Sequence, residues 1–304
     1  MAVFKKVIYF FEYAAIRLVG GCLSLFPLSL ALPLTHPIGV FLFFILKRSR
    51  RTALENLHQV YGSHKSESQI RQIAKKSFVY LAEFAIEWLW MPRIARNPER
   101  YFAIRGVEKI HSALEKKTGA LLLVSHNGNW EIMALVAGFL IARPVGASIY
   151  ALARPLKNFY LYNYSLHLRG LTGLKSIHKI GGVRETFNRL KENGIVSTLI
   201  DQRVGEGGVE VDFFGRPALT TTLPAVAALR LGTPIFFVFL HRTSDLRFVM
   251  DVEGPVEIKK TGDIKYDIQV NTQHFNNRIE AEIHKDPPHW LWMHNRWRAR
   301  HGMK

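Results

Sequence analysis

A single cysteine, Cys22, among 304 residues removes two kinds of chemistry at once. No intramolecular disulfide can form, and no zinc site can be built on thiolates. Cys22 also lies in the apolar N-terminal region, so a cysteinyl-enzyme intermediate is not expected. Acidic residues are scarce as well: 24 Asp and Glu stand against 41 Lys and Arg, for a formal charge of +17. That field favours anionic partners (nucleic acid, anionic lipid, phosphorylated substrates or acidic proteins) without choosing among them. The chain has no Walker-type phosphate loop, no Gly-x-Gly-x-x-Gly after a strand and no Gly-x-Ser-x-Gly elbow. His284, His289 and His294 straddle Pro287-Pro288 at intervals that do not share a helical face, so no metal-binding histidine pair is expected. A transfer reaction without cofactor is the simplest chemistry left. Repeats, low-complexity tracts and Gly/Ser linkers are missing too, and a hydrophobic content of 48% excludes global disorder.

The N-terminus lacks an uninterrupted apolar run of the ~20 residues that a clean transmembrane helix needs. Residues 7–46 are mostly apolar, but Pro27, Pro33 and Pro37 break them, as do Glu12, Arg17 and His36. No small-residue cleavage site is well placed for a removed signal peptide. Broken helices lying in or dipping into one leaflet fit this pattern; the alternative is a pair of buried helices in a soluble core. The cluster Lys47-Arg48-Ser49-Arg50-Arg51 favours an anionic membrane surface, with the remainder of the chain on the cytoplasmic side. Elsewhere Lys and Arg are dispersed and no nucleic-acid-binding signature is present, so nucleic acid is not an expected partner.

A helix over 51–61 should stop at Gly62. The capping box Ser66-Glu67-Ser68-Gln69 opens another, with apolar positions Ile70, Ile73, Ala74, Phe78, Leu81, Ala85 and Trp88 at a 3.6-residue period, ending near 91 before Pro92. From 101 onward strands and helices alternate. Strands are expected at 101–106, 120–125, 147–152, 174–179, 195–200, 209–214 and 233–242, with 247–256 pairing back on the last of these. Helices are expected after Asn129 and at 157–169, 183–192, 223–231 and 263–284. Such alternation predicts an α/β fold: a mixed, largely parallel central sheet with helices on both faces. The division expected is a membrane-associated helical segment over 1–50 and one α/β domain over 51–304.

The most informative stretch is His126-Asn127-Gly128-Asn129-Trp130-Glu131. It follows the apolar run 119–125, which reads as a buried strand, and precedes the apolar helix from 132. A histidine and a carboxylate would thus stand where a strand turns into a helix, the edge at which open α/β sheets bind ligands. Imidazole is suited to moving a proton near neutral pH. About one His-x4-acid match is expected by chance in such a composition, so context carries the reading. The plainer alternative is a satisfied strand-end histidine with Glu131 on a solvated face. Arg154-Pro155 and Asp201-Gln202 also follow strands. Arg154 can grip phosphate or carboxylate in a fork, or simply pair with a surface acid. The loop Gly205-Glu206-Gly207-Gly208 could flex over a substrate. Thr220, Thr221 and Thr222 could line a polar site, although a helix N-cap explains at least one of them.

Taken together, His126-x4-Glu131, Arg154-Pro155, Asp201-Gln202, Phe213-Phe214-Gly215-x-x-Ala218-x-Thr220 and the closing Trp290-Leu291-Trp292-Met293-His294-Asn295-Arg296-Trp297 resemble the late lipid A acyltransferases, within the lysophospholipid acyltransferase-like group. The likeness runs nearly end to end and includes Arg51–Asn56. It implies a glycerolphosphate acyltransferase-like fold and an O-acyltransferase at the bacterial inner membrane. A fatty acyl chain would move from an acyl thioester, of acyl carrier protein or alternatively coenzyme A, onto a hydroxyl of a glycolipid acceptor such as a lipid A precursor. By position, His126 would be the general base and Glu131 its orienting acid. Arg154, Asn129, Asp201, Gln202 and Thr220 would contact substrate, Arg154 near a phosphate. Backbone N–H groups near Asn129 could hold the oxyanion. Phe139, Leu140 and the aromatics of 157–169 would line a groove for the acyl chain. The alternatives are acylation of a phosphatidylinositol mannoside or lysophospholipid from acyl-CoA and, from another class, a non-catalytic basic membrane- or nucleic-acid-binding protein.

Overall fold

The computed structural model describes residues 2–178, 181–205, 207–245 and 247–297. Lys179, at the expected end of one strand, and Glu206 of the expected flexible loop lie outside the described residues.

The N-terminal apolar stretch folds as α1 (Ala2–Leu23), the single turn α2 (Leu28–Ala31), a 3₁₀ turn and α3 (Thr35–Ile45). Proline sets the breaks: Pro27 caps α2 without donating an N–H, and Pro33 sits in the 3₁₀ turn. Glu12 and Arg17, which interrupt the apolar run, serve contacts with the protein body. Asn158 Nδ2 donates to Glu12 at 2.9 Å, and the Arg17 guanidinium lies 4.4 Å from the Tyr164 ring centroid. The stretch 28–45 is long and apolar enough to cross a membrane by length and composition, yet a third of it is buried against the protein.

Two further helices follow, α4 (Lys47–Tyr61) and α5 (Glu67–Ile94). The basic cluster 47–51 forms the first turn of α4. The expected capping box is present at Ser66 and Gln69. Contrary to expectation, α5 runs through Pro92 for another half turn. Burial of Met91 and Ile94 offsets the lost backbone bond there, and Arg93 and Trp90 donate to the Ser24 and Leu23 carbonyls at the end of α1.

A turn α6 (Pro98–Tyr101) leads into β1 (Phe102–Arg105), α7 (Val107–Glu115) and β2 (Ala120–Val124). Next come α8 (Trp130–Val136), continued by a π-helical turn to Ala142, then β3 (Ile149–Ala153), α9 (Phe159–Gly170), β4 (Leu174–His178), α10 (Gly182–Lys191) and β5 (Ile195–Leu199). A hairpin of β6 (Gly208–Phe213) and β7 (Arg216–Thr221) stands apart from the main sheet. The chain closes with α11 (Leu223–Leu231), β8 (Ile235–Arg242), β9 (Phe248–Glu253) and α12 (Ile264–Lys285). Strand β7 falls where the sequence suggested a polar site or a helix cap: Thr220 and Thr221 pair with β6, and Thr222 stands at the start of α11.

The seven-stranded sheet has the order β1-β9-β8-β2-β5-β3-β4, parallel except for the β8–β9 pair. Strand β2 is buried at every position because both faces are covered. Ala120, Leu122 and Val124 enter one core with α7 and α8, while Leu121 and Leu123 enter the other with α4, α11 and α12. The period of two delivers every side chain of this strand into a core.

Candidate active site

The register of two neighbouring strands builds the site. Val124 on β2 pairs with Leu199 on β5 in a parallel ladder. Two residues further along each strand bring His126 and Asp201 opposite one another at the carboxyl edge. Asp201 is fully buried and accepts three hydrogen bonds: from the His126 backbone N–H at 2.7 Å, from His126 Nδ1 at 2.8 Å and from Trp290 Nε1 at 2.7 Å. Burial alone would raise the Asp201 carboxyl, but the imidazole, by charge and hydrogen bond, and the Trp290 N–H together hold it below its ordinary value of 3.8. With Nδ1–H given to an ionised carboxylate, the His126 lone pair is left on Nε2, where the Gln202 amide reaches it at 3.0 Å.

Glu131 is not placed as its sequence position suggested. Its carboxylate is taken by Arg169 of α9, with Nε at 3.0 Å and Nη2 at 2.5 Å, and the acid on the imidazole is Asp201. The reason is helical direction. Trp130 opens α8 against the imidazole, with ring centroids 4.8 Å apart, and the next residue, turned by about 100° around the helix, faces Arg169 of α9 and not the ring. Asn129, expected at substrate, is buried and spent inside the protein: its oxygen caps α8 through the Ile132 N–H at 3.1 Å, and its amide donates to Glu87 at 2.7 Å. Burial pushes the Glu87 carboxyl up to about 7, against the opposing charge of Arg242. Thr220 is buried on β7 beneath Arg296 and Asn276. It belongs to the packing of the closing segment. Arg154 is exposed just past β3, the strand that pairs with β5, on the same sheet edge.

The chain's last described segment clamps the loop that carries His126. The Gly128 N–H donates to the His289 carbonyl at 3.2 Å and the Leu291 N–H to the His126 carbonyl at 3.1 Å. Asn56 Nδ2 on α4 holds that segment through the Trp292 and His294 carbonyls, each at 2.8 Å. Gly128 is required by geometry, since its φ is +77° and a Cβ there would meet the Leu240 carbonyl oxygen at 2.8 Å. Gly128→Ala is therefore expected to cost about 1–2 kcal/mol from the left-handed backbone alone. It should also shift His126 and lower kcat, read by thermal melting alongside turnover.

One cavity touches His126, and a second shares Trp130 with it. A crevice of only about 10 Å³, lined by Phe84, Trp130, His289 and Trp290, touches the imidazole directly, so any molecule larger than water must part these side chains to reach it. Behind Trp130 lies an apolar slot between the sheet and α8, lined by Val124, Met133, Ala134, Ala137, Ala151 and Val238, with the Glu131–Arg169 pair at its wall. Small alanines leave this space. Phe139 and Leu140, expected to line a groove, are not among its walls. Trp290 is expected only as part of the closing motif, with no role, and Arg169 and Glu87 are not among the expected site residues. Only the isolated charge of Arg169 in an aromatic-rich helix hinted at a buried partner.

The sequence pattern of bacterial lipid A biosynthesis acyltransferases matches residues 2–299. Phosphatidylinositol mannoside acyltransferases from Mycobacterium tuberculosis and Mycolicibacterium smegmatis are 31% and 27% identical over 147 and 197 residues, covering 47% and 64% of this chain. These alignments span 44% and 61% of the mycobacterial proteins, about half their length. The lipid A biosynthesis palmitoleoyltransferase of Escherichia coli is 24% identical over 274 residues, covering 86% of this chain and 83% of that one.

Proposed function

The chain belongs to the bacterial lipid A biosynthesis acyltransferase family, and from that premise we propose that it transfers a fatty acyl chain from a thioester to a hydroxyl of a glycolipid acceptor at the inner membrane. The observation that carries this reading is the His126 imidazole held at the sheet edge by buried Asp201, with Trp130 between it and an apolar slot. The acceptor hydroxyl displaces the Gln202 amide from Nε2 and gives its proton to that nitrogen as its oxygen attacks the thioester carbonyl. Asp201 fixes the tautomer and stabilises the imidazolium. When the tetrahedral intermediate collapses, the C–S bond breaks and the imidazolium returns its proton to the departing thiolate. No charge accumulates at the site over the cycle. The freed Gln202 amide is a candidate donor to the oxyanion.

Acyl carrier protein is the donor we favour, because it is acidic and the chain carries +17. The mycobacterial relatives are named for phosphatidylinositol mannoside, so an acyl-CoA-dependent acylation of another glycolipid is the second reading. Exposed apolar side chains concentrated between residues 4 and 46, Phe4, Phe10, Phe11, Leu25, Phe41 and Phe44 among them, support attachment to the lipid interface, and the basic cluster 47–51 that follows favours a catalytic body on the cytoplasmic side. Arg154, exposed on the same sheet edge, is a candidate contact for substrate phosphate.

The experiment is acyl transfer from labelled acyl carrier protein or acyl-CoA to candidate glycolipids. His126→Ala should reduce it by about 10²–10⁴-fold; near-normal transfer by that variant would refute the mechanism. The slot makes a separate prediction. Ala137→Leu should shift preference toward shorter chains, each methylene no longer housed costing about 0.8 kcal/mol, or roughly fourfold in relative kcat/KM.

A further inference from the structure

Three cations, Arg71, Lys75 and Lys76, line one groove from α5. Ser68, Arg71, Gln72, Lys75, Lys76 and Tyr80 recur at helical spacing and form one wall of a groove of about 740 Å³, which His36 of α3 and His289 complete. Its two carboxylates are already engaged. Glu83 pairs with Arg242, and Asp286 accepts from His289 Nδ1 at 2.7 Å. Arg71, Lys75 and Lys76 make no ion pair among the described residues, although the Arg71 guanidinium rests 5.7 Å from the Phe43 ring centroid. Net positive charge therefore faces an open polar groove.

Two features say what the groove is for. Tyr80 and His289, whose ring centroids lie 3.9 Å apart, also line the crevice that touches His126, so the groove leads directly to the imidazole. Its far wall is α3, drawn against α5 at Gly39, where a Cβ would sit 2.3 Å from the Val79 Cα. Ile38, Phe41 and Phe44 on α3 are exposed beside it. A molecule with apolar tails and an anionic head can rest its tails on α3 and its head in the groove. The apolar slot lies on the opposite side of Trp130 and is left for the acyl chain being transferred.

We propose that this groove binds the phosphorylated headgroup of the lipid acceptor, with Arg71, Lys75 and Lys76 holding phosphate, and that the hydroxyl to be acylated reaches His126 past Tyr80 and His289. The assignment rests on the acyl-transfer reading above for its catalytic meaning but not for the binding itself. The test uses the triple substitution R71Q/K75Q/K76Q in two arms. In the first, the inactive His126→Ala protein, with and without the triple substitution, is bound to phosphatidylcholine vesicles. These contain a bis-phosphorylated disaccharide lipid, the same lipid stripped of phosphate, or phosphatidylserine at matched surface charge. The parent should prefer the phosphorylated lipid over matched phosphatidylserine by about tenfold or more, and the triple substitution should abolish that preference. No preference in the parent, or one that survives the substitutions, overturns the proposal. In the second arm, the triple substitution in otherwise active protein should raise acceptor KM about tenfold with donor KM unmoved. A rise in donor KM instead would assign the groove to the phosphate of the donor's pantetheine arm and overturn it. Should no thioester support transfer at all, the functional reading fails while the vesicle arm still decides the groove. If the triple variant melts early, R71Q and K76Q, both at exposed positions, are measured singly for the same loss.

Discussion

Asp201→Asn is expected to lower kcat by about 10²–10⁴-fold with the fold retained. The carboxylate oxygen that accepts from the His126 backbone and from Trp290 can be replaced by the amide oxygen without losing either bond. The other oxygen, 2.8 Å from Nδ1, becomes an NH₂. Two donors cannot face each other, so Nδ1 must accept and the proton moves to Nε2, which can no longer act as a base. The same carboxyl predicts a pH signature. Its folded pKa lies below the ordinary 3.8, so its contribution to stability is present above that value and is lost as pH falls through the depressed one. Thermal stabilities of wild type and Asp201→Asn should therefore differ at neutral pH and converge in acid. A variant that keeps full turnover would remove Asp201 from the mechanism.

Glu131→Ala is expected to act first on stability. The carboxylate and the Arg169 guanidinium are 11% and 15% exposed, and removing one partner leaves a buried charge unpaired at a cost of about 3–5 kcal/mol. In a chain of this size the melting temperature should fall by about 5–10 °C. The double variant E131Q/R169M should recover much of that loss, because replacing both members of a buried pair removes the orphaned charge. Turnover should fall with the displaced start of α8, while the pH profile of the remaining activity stays that of the wild type. If E131Q lost activity at a wild-type melting temperature and the double variant recovered nothing, Glu131 would have to act on the chemistry itself.

These two expectations also mark where sequence reading succeeds and where it stops. Alternating apolar periods located all the main-sheet strands to within a few residues, because a strand buried on both faces must be apolar throughout and helices that cover it must repeat at 3.6. The capping box at Ser66 was legible for a similar reason, since all of its partners lie within three residues. Strand β7 was not, because its threonines become a strand only by pairing with β6.

The sequence by itself determined which chemical groups stand at strand ends: His126, Arg154, Asp201 and Gln202 all follow apolar runs. It determined too that the N-terminus is apolar and broken by proline. Only the tertiary structure decided who meets whom. Strand order is set by how helices pack across the chain, so the adjacency of β2 and β5 that joins His126 to Asp201, 75 residues apart, is invisible in either segment alone. Proximity in sequence suggested Glu131, but in a helix direction outweighs distance along the chain, and its carboxylate found Arg169 instead.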